Sequence, residues 1–367
     1  MELALYDPDE GFYGRGGGAG RAGADFLTSP EVGPLFGRLV ARALDRWWVA
    51  LGRPDPYLVA ELGAGRGRLA QQVLLAGPAC APALRYLCVE RSAVLRERQR
   101  ELLPIEPAAV ALGPVVAGEG TEEVEVEPGR GPIVTSLDEL PALHTDGVVL
   151  ANEVLDNLPF DVVRHEPGDT WSELRVGRAE EPARYVPLWT PAEPDLAAWC
   201  DGLDAPVGVA LPAQRAAEAL LADALRWLRR GVVALLDYTT TISQVAGGRP
   251  WLRTYHRQQR DTDPFTDPGT RDITADVLTD TLLRAVRRLG ARVLEDTTQA
   301  DWLRALGIDE LVAEGRRAWT AAAAAPDLAA VAGRSRAAEA AALCDPGGLG
   351  AHRVLVLGTG SAGGDGW

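Results

Sequence analysis

The stretch Tyr57-Leu-Val-Ala-Glu61-Leu-Gly63-Ala64-Gly65-Arg66-Gly67-Arg68-Leu69 decides the fold. A short apolar run stops at a cluster of glycines, and the apolar spacing from Leu69 to Leu75 then turns helical, so the segment reads as strand, tight turn, helix. Glycine lets the backbone turn sharply there and come close to a ligand. Downstream, Arg85-Tyr-Leu-Cys-Val-Glu90 reads as a second strand. Ile133 to Thr135, Gly147 to Ala151, Val232 to Asp237 and the segment following His352 read as further buried strands. Alternation of such runs with helical stretches predicts an α/β fold, a doubly wound, mostly parallel Rossmann-like sheet covered on both faces. Upstream, Ser29-Pro30-Glu31 starts a helix, and the spacing of Leu35, Phe36, Leu39, Val40, Ala43, Leu44 and Trp47 carries it to about Ala50.

Two regions depart from this alternation. Between Phe160 and Pro212 short alternating runs (Val162-Val-Arg-His, Trp171-Ser-Glu-Leu-Arg-Val, Arg184-Tyr-Val-Pro-Leu) predict an antiparallel insertion. Arg253 to Asp276 is polar and too long for a plain connector, which suggests a functional loop. The expected division is 1–56 as an N-terminal lid loop and helix, 57–159 with 213–358 as the core, 160–212 as the insertion and 359–367 as a disordered tail. Residues 11–25 are Gly-rich and predict a loop, and the Ala-rich run Trp319 to Ala342 predicts helices interrupted at Pro326 and Gly333.

Composition narrows the function. With 367 residues, 47% apolar and 24% charged, the chain suits a soluble globular protein. Its apolar runs fall far short of the roughly 20 residues that span a bilayer, and the N-terminus has no basic and apolar leader pattern, so no membrane role and a cytoplasmic location are expected. The net charge of −15 and the lack of any basic stretch argue against nucleic acid and favour a basic protein or peptide partner. Cys80, Cys88, Cys200 and Cys344 have no metal-ligand spacing, and no metal is expected.

A Gly turn alone is weak, but two details sharpen this one. A dinucleotide fingerprint wants a small residue where this chain has Arg68, and Glu61 precedes the glycines, which suits the cationic amino-acid end of S-adenosylmethionine better than a pyrophosphate. Glu90, ending the second strand, can accept hydrogen bonds from ribose hydroxyls.

Several further motifs stand in order along the chain: Leu5-Tyr-Asp-Pro-Asp-Glu-Gly-Phe-Tyr13, Asp25-Phe-Leu-Thr-Ser-Pro-Glu-Val32 with Phe36-Gly37, Ala151-Asn-Glu-Val-Leu-Asp-Asn-Leu-Pro159, Leu236-Asp-Tyr238, and Pro268-Gly269 with Asp272-Ile-Thr-Ala-Asp-Val277. Together with the glycine loop they resemble the MidA-like family of class I S-adenosylmethionine-dependent methyltransferases, which includes the mitochondrial complex I assembly arginine methyltransferase. The resemblance implies a cofactor site of Thr28, Ser29, Glu31, Glu61, Gly63, Ala64, Gly65, Gly67, Glu90, Arg91, Ser136, Leu137 and Asn152. It also implies catalytic roles for Glu153, Asp156 and Tyr238. Family members carry a helix before the first motif, whereas this chain begins inside that region. Asn152 stands where mitochondrial members have His, and Thr239 where Gly is usual.

An arginine acceptor must be oriented and must lose a proton, and carboxylates do both. Glu153 and Asp156 would project from one side if a helical turn starts there, Glu153 as acceptor clamp and Asp156 as its partner. The alternative has Asp156 as a helix cap and Glu153 holding the donor's amino group. Thr28, Ser29 and Glu31 form a lid, or Ser29 is an N-cap. Tyr238 walls the acceptor pocket or sits in the core. His256, Arg253, Arg257 and Arg260 touch substrate or simply form a charged surface loop, the commoner case. The expected reaction is N-methylation of a protein arginine, with a small-molecule acceptor or a non-catalytic, donor-binding assembly factor as alternatives. Monomer and homodimer are both left open.

Overall fold

Seven strands form the central sheet: β1 (Tyr57–Leu62), β2 (Leu84–Val89), β3 (Ile133–Leu137), β4 (Thr145–Asn152), β5 (Leu228–Asp237), β6 (Arg292–Thr298) and β7 (Arg353–Thr359). Their spatial order is β6-β7-β5-β4-β1-β2-β3. In this computed structural model the described residues are 1–15, 28–113, 130–180, 184–256, 259–322, 324–325 and 327–359. Neighbours from β3 to β5 run parallel, and β6 is antiparallel to β7. Every residue of β1 and β2 is buried, which is why these strands read as continuous apolar runs without alternation. The α/β, mostly parallel architecture expected from sequence is the one observed.

The described chain packs as two compact units. One comprises Leu27–Asn152, Ala224–Leu236 and Ala291–Trp367 and holds the central sheet up to Leu236. The other comprises Met1–Phe26, Glu153–Asp223 and Asp237–Gly290. This differs from the division expected from sequence, because the N-terminal segment and residues 237–290 belong with the antiparallel strands.

In the sheet unit, the helix Pro34–Ala50 buries Leu35, Phe36, Leu39 and Leu44 in the main core. A Cβ on Gly37 would lie 2.2 Å from Cβ of Gln72, so this helix meets the helix Arg68–Ala76 at backbone distance. The continuous helix expected from Ser29 to Ala50 is broken at Gly33. Proline at 34 brings no N–H, and the Glu339 carboxylate, 2.9 Å from the Leu35 amide, takes the place of a cap. The Ala-rich run belongs to two helices, Ile308–Ala321 and Leu328–Leu343, with Pro326 between them and outside the described residues. Gly333 does not interrupt the second helix. It lies inside it because Gly315 of the first packs directly on its backbone.

In the other unit, strands Asp161–Glu166, Thr170–Ala179, Arg184–Pro191 and Ala210–Ala213 form the antiparallel sheet. The stretch Arg253 to Asp276, expected as a loop, contributes strands to a second antiparallel sheet. There Leu252–His256 lies between Gln259–Asp261 and Asp272–Ala275. Residues 16–25 of the expected Gly-rich loop and residues 360–367 of the expected tail lie outside the described residues. Among the described residues no helix is long and apolar enough to cross a membrane.

Helix propensity alone says that Gly315→Ala should stabilise by about 1 kcal/mol. The new Cβ would lie 2.3 Å from the Gly333 carbonyl oxygen, so the expected outcome has the opposite sign. Thermal unfolding should show a lower Tm for Gly315→Ala, equivalent to ~1–3 kcal/mol lost.

Candidate active site

The glycine loop is held from both sides of one peptide. The Gly65 amide donates to Glu90 Oε2 at 2.9 Å, and Gln99 Nε2 donates to the Gly65 carbonyl at 2.9 Å. Glu90 Oε1 accepts the Ser92 amide at 2.8 Å. Gly63, Gly65 and Gly67 have φ of 63, 53 and 79°, the left-handed region that only glycine enters without strain. Burial raises the Glu90 pKa, and the backbone amides pull it back. Gln99 is fully buried and has no signal in the sequence, since it sits in an otherwise charged helical stretch.

Glu61 is placed differently from the expectation. It is buried in the sheet, Tyr86 donates to its Oε2 at 2.7 Å, and burial pushes its carboxyl up to about 8. It supports the strand end from within. Ser29 is corrected as well. It is fully buried, occupies the first helical position where Thr28 is the N-cap, and donates to Gln299 at 2.9 Å, so it is neither lid nor cap. Thr28 makes no side-chain cap bond, and Glu31 lies 3.7 Å from Arg68 Nε behind the glycine loop. Ala64 is buried and its amide donates to the Val89 carbonyl. The Leu137 carbonyl accepts the Glu90 amide, joining the ends of β2 and β3. Arg91 is exposed, and its carbonyl is capped by Arg96 at 2.8 Å. Ser136 and Asn152 close β3 and β4.

S-adenosylmethionine fits this cradle. A Cβ at Gly65 would meet nothing within 4 Å, so the loop faces open space. The Ser136 hydroxyl is shielded from solvent and has no partner among the described residues. The Glu90 carboxylate, which accepts the amides of Ser92, Gly65 and Arg91, keeps acceptor capacity for a ribose hydroxyl.

Glu153, Asp156 and Tyr238 all belong to the other unit. The turn after β4 is a 3₁₀ turn, Leu155–Asn157, and Glu153 precedes it with φ 54°, so the two carboxylates do not share one helical face. The turn is capped by Asp237, whose Oδ2 accepts the amides of Val154, Leu155 and Asp156 at 3.2, 2.9 and 3.4 Å. Asp156 is thus not the cap. Asp237, a charged residue ending an apolar run, was legible in principle but not singled out. Burial, together with Asp156 and Glu153, raises its pKa.

Asp156 is 5% exposed. Thr274 donates to its Oδ2 at 2.5 Å, and Oδ1 has no partner among the described residues. Burial pushes its carboxyl up to about 6, against the pull of Thr274 and Arg253. Arg253 is not on a surface loop. It is buried, pairs with Asp276 and lies 4.9 Å from the Tyr238 ring centroid. Arg257 lies outside the described residues, nothing is described of the Arg260 side chain, and His256 Nδ1 contacts the Thr270 carbonyl at 2.9 Å. Behind the turn, Asn157 Nδ2 donates to Asp272 Oδ1 at 3.0 Å, and the same oxygen accepts Tyr13 Oη at 3.0 Å. Tyr6 Oη donates to the Asn157 carbonyl.

Residues 39–297 match the family model described as "Putative S-adenosyl-L-methionine-dependent methyltransferase". A solved superfamily member from Burkholderia thailandensis bound to S-adenosyl-homocysteine is 30% identical with TM-score 0.77, covering 97% of this chain and 86% of that one. A native structure from the same superfamily and organism gives 29% and 0.76, covering 100% and 87%. Among curated proteins, the mouse mitochondrial protein arginine methyltransferase NDUFAF7 is 29% identical over 53% of this chain and 45% of its own length. The Drosophila melanogaster homolog is 45% identical over 20% of this chain and 17% of its own length. The matches thus span less than half the length of these curated relatives.

Two outcomes follow from the donor half. Glu90→Ala should weaken S-adenosyl-homocysteine binding by about tenfold to a hundredfold in calorimetric titration, because the glycine loop loses its charged hydrogen-bond acceptor. Glu61 has a folded pKa raised above its unfolded value, so its contribution to stability falls as pH rises from about 4.5 to about 8. Chemical denaturation should show Glu61→Gln losing less stability than the parent across that window, by ~1 kcal/mol or more. Parallel pH curves for the two proteins would count against the assignment.

Proposed function

We propose that this chain, which belongs to the MidA-like family of S-adenosyl-L-methionine-dependent methyltransferases, N-methylates an arginine side chain of a protein partner. The enzyme class and the cofactor follow from the family. The acceptor is our reading, and the observation that carries it is the surplus of buried carboxylate after β4. Asp156, Asp237 and Asp276 are buried with Glu153 beside them, and the guanidinium groups that face them among the described residues are the buried Arg253 and the more exposed Arg249, both paired with Asp276. A dry site of that charge favours a cation, and the planar fork of an arginine matches carboxylates better than an ammonium does. The curated relatives, named as protein arginine methyltransferases and matched over less than half of their own length, point the same way.

The cofactor supplies an electrophilic methyl group on its sulfonium when bound. Glu90 and Gln99 hold the Gly65 loop that receives it, and Ser136 lies at the end of β3 for its nucleoside. On the acceptor side, Glu153 orients the guanidinium from its left-handed backbone position. Asp156 Oδ1, free of any other hydrogen bond among the described residues, receives the proton that the guanidinium must lose. Asp237 keeps both in place by holding the three amides of the turn.

The reading is tested by Glu153→Gln and Asp156→Asn with a library of arginine peptides or the purified partner. Each should lower methyl transfer by about a hundredfold or more while the donor Kd stays within about twofold. Asp156 accepts a proton only when ionised, so kcat/KM for the parent should rise with pH through about 6. Retained turnover in both variants would sink the role of the pair without touching the family assignment.

A further inference from the structure

Arg253 is used in the scheme above only as a charge, yet its geometry asks for more. It is 7% exposed, on the strand Leu252–His256, directly across from Thr274 in the register. Residues opposite each other in an antiparallel pair project to the same face, so Arg253 and Thr274 share the face on which Thr274 holds Asp156. Arg253 Nη1 is paired with Asp276 Oδ1 at 2.5 Å. Its Nε and Nη2 have no hydrogen-bond partner among the described residues, although both are shielded from solvent. These two N–H groups form one edge of the guanidinium, a fork that donates both hydrogens to an oxygen. A buried donor pair left unpaired costs the full loss of its water, so natural proteins keep one where something fills it.

What fills it is constrained by charge. Asp276 pairs with both Arg253 and Arg249, but the neighbouring Asp156, Asp237 and Glu153 still leave the surroundings acidic, so a second carboxylate on the fork would be repelled. A neutral oxygen acceptor fits, and a guanidinium by itself has none. We infer that Arg253 is a specificity residue that donates Nε–H and Nη2–H to a main-chain carbonyl oxygen of a polypeptide acceptor, next to the site where Asp156 meets the arginine side chain. The ring of half-buried Tyr238 lies over the face of the guanidinium and leaves its edge as the direction of donation. This rests on the acceptor reading proposed above and adds that the enzyme reads the peptide carrying the arginine as well as its tip.

The test uses the full chain saturated with S-adenosyl-homocysteine and three probes, each measured for binding and, with the methyl donor, for turnover. They are butylguanidine, a blocked arginine tripeptide flanked by glycines, and the same tripeptide flanked by aspartates. The parent should bind the glycine-flanked peptide at least about tenfold more tightly than butylguanidine. Arg253→Lys, which keeps the charge but loses the fork, should bring that ratio close to one. Arg253→Gln serves in parallel, with thermal melts confirming that each variant is folded. An unchanged ratio in the variants, or no binding of any probe by the parent, overturns the inference. A preference for the aspartate-flanked peptide that disappears in the variants assigns the fork to a carboxylate and overturns the carbonyl. Peptide preference that depends on Arg253 without methylation of any probe supports the carbonyl subsite while removing the arginine reading of the reaction.

Discussion

A backbone amide that leaves a strand without a ladder partner must find an acceptor, and in this chain a carboxylate supplies it at the two places that matter. Glu90 takes the Gly65 and Ser92 amides, and Asp237 takes the amides of residues 154, 155 and 156. Each is a charged group at the end of a parallel strand whose oxygens face N–H groups that would otherwise be buried unpaired. The glycine loop and the turn carrying Asp156 therefore keep their shape without a ligand to order them. The cost is two carboxylates in poorly hydrated places, visible as the raised pKa of both.

How much of this could be read in advance depended on the range of the signal. The strands of the parallel sheet were legible because burial on both faces leaves an uninterrupted apolar run bounded by glycine or a charge. Even the strand ends at Glu90 and Asp237 carry that boundary. The insertion was legible through its alternation. What escaped was tertiary. Ser29 reads as a helix cap, yet its partner Gln299 lies 270 residues away and pulls the hydroxyl inward. Glu61 reads as a ligand group until Tyr86, from the neighbouring strand, claims it. Arg253 sits in a run of Arg, His and Asp that looks like solvated surface. Only pairing with the strand Asp272–Ala275 turns it toward Asp156. Gln99 gave no signal, because a glutamine on a charged helix looks the same whether or not its amide clamps a loop.

The absence of lysine bears on the acceptor side. Apart from four histidines, all basic side chains of this protein are arginines, so a permanently charged buried cation here is a planar fork with five donors. A lysine at position 253 would be a point charge that one aspartate satisfies and that burial can neutralise. An arginine there is satisfied along one edge by Asp276 and still carries a second edge of defined direction. Charge balance and shape recognition are thereby separated within one residue.

The order β6-β7-β5 has a consequence for how the protein is made. Strand β5 is complete once Asp237 has been synthesised, but its neighbour β7 is made only after β6. Throughout translation of the intervening residues the apolar run Val232–Leu236 presents an open strand edge, the kind of surface that pairs with other chains. The sheet closes only by inserting its final strand between two already made. Until that insertion, the edge of β5 must be kept from pairing with other chains.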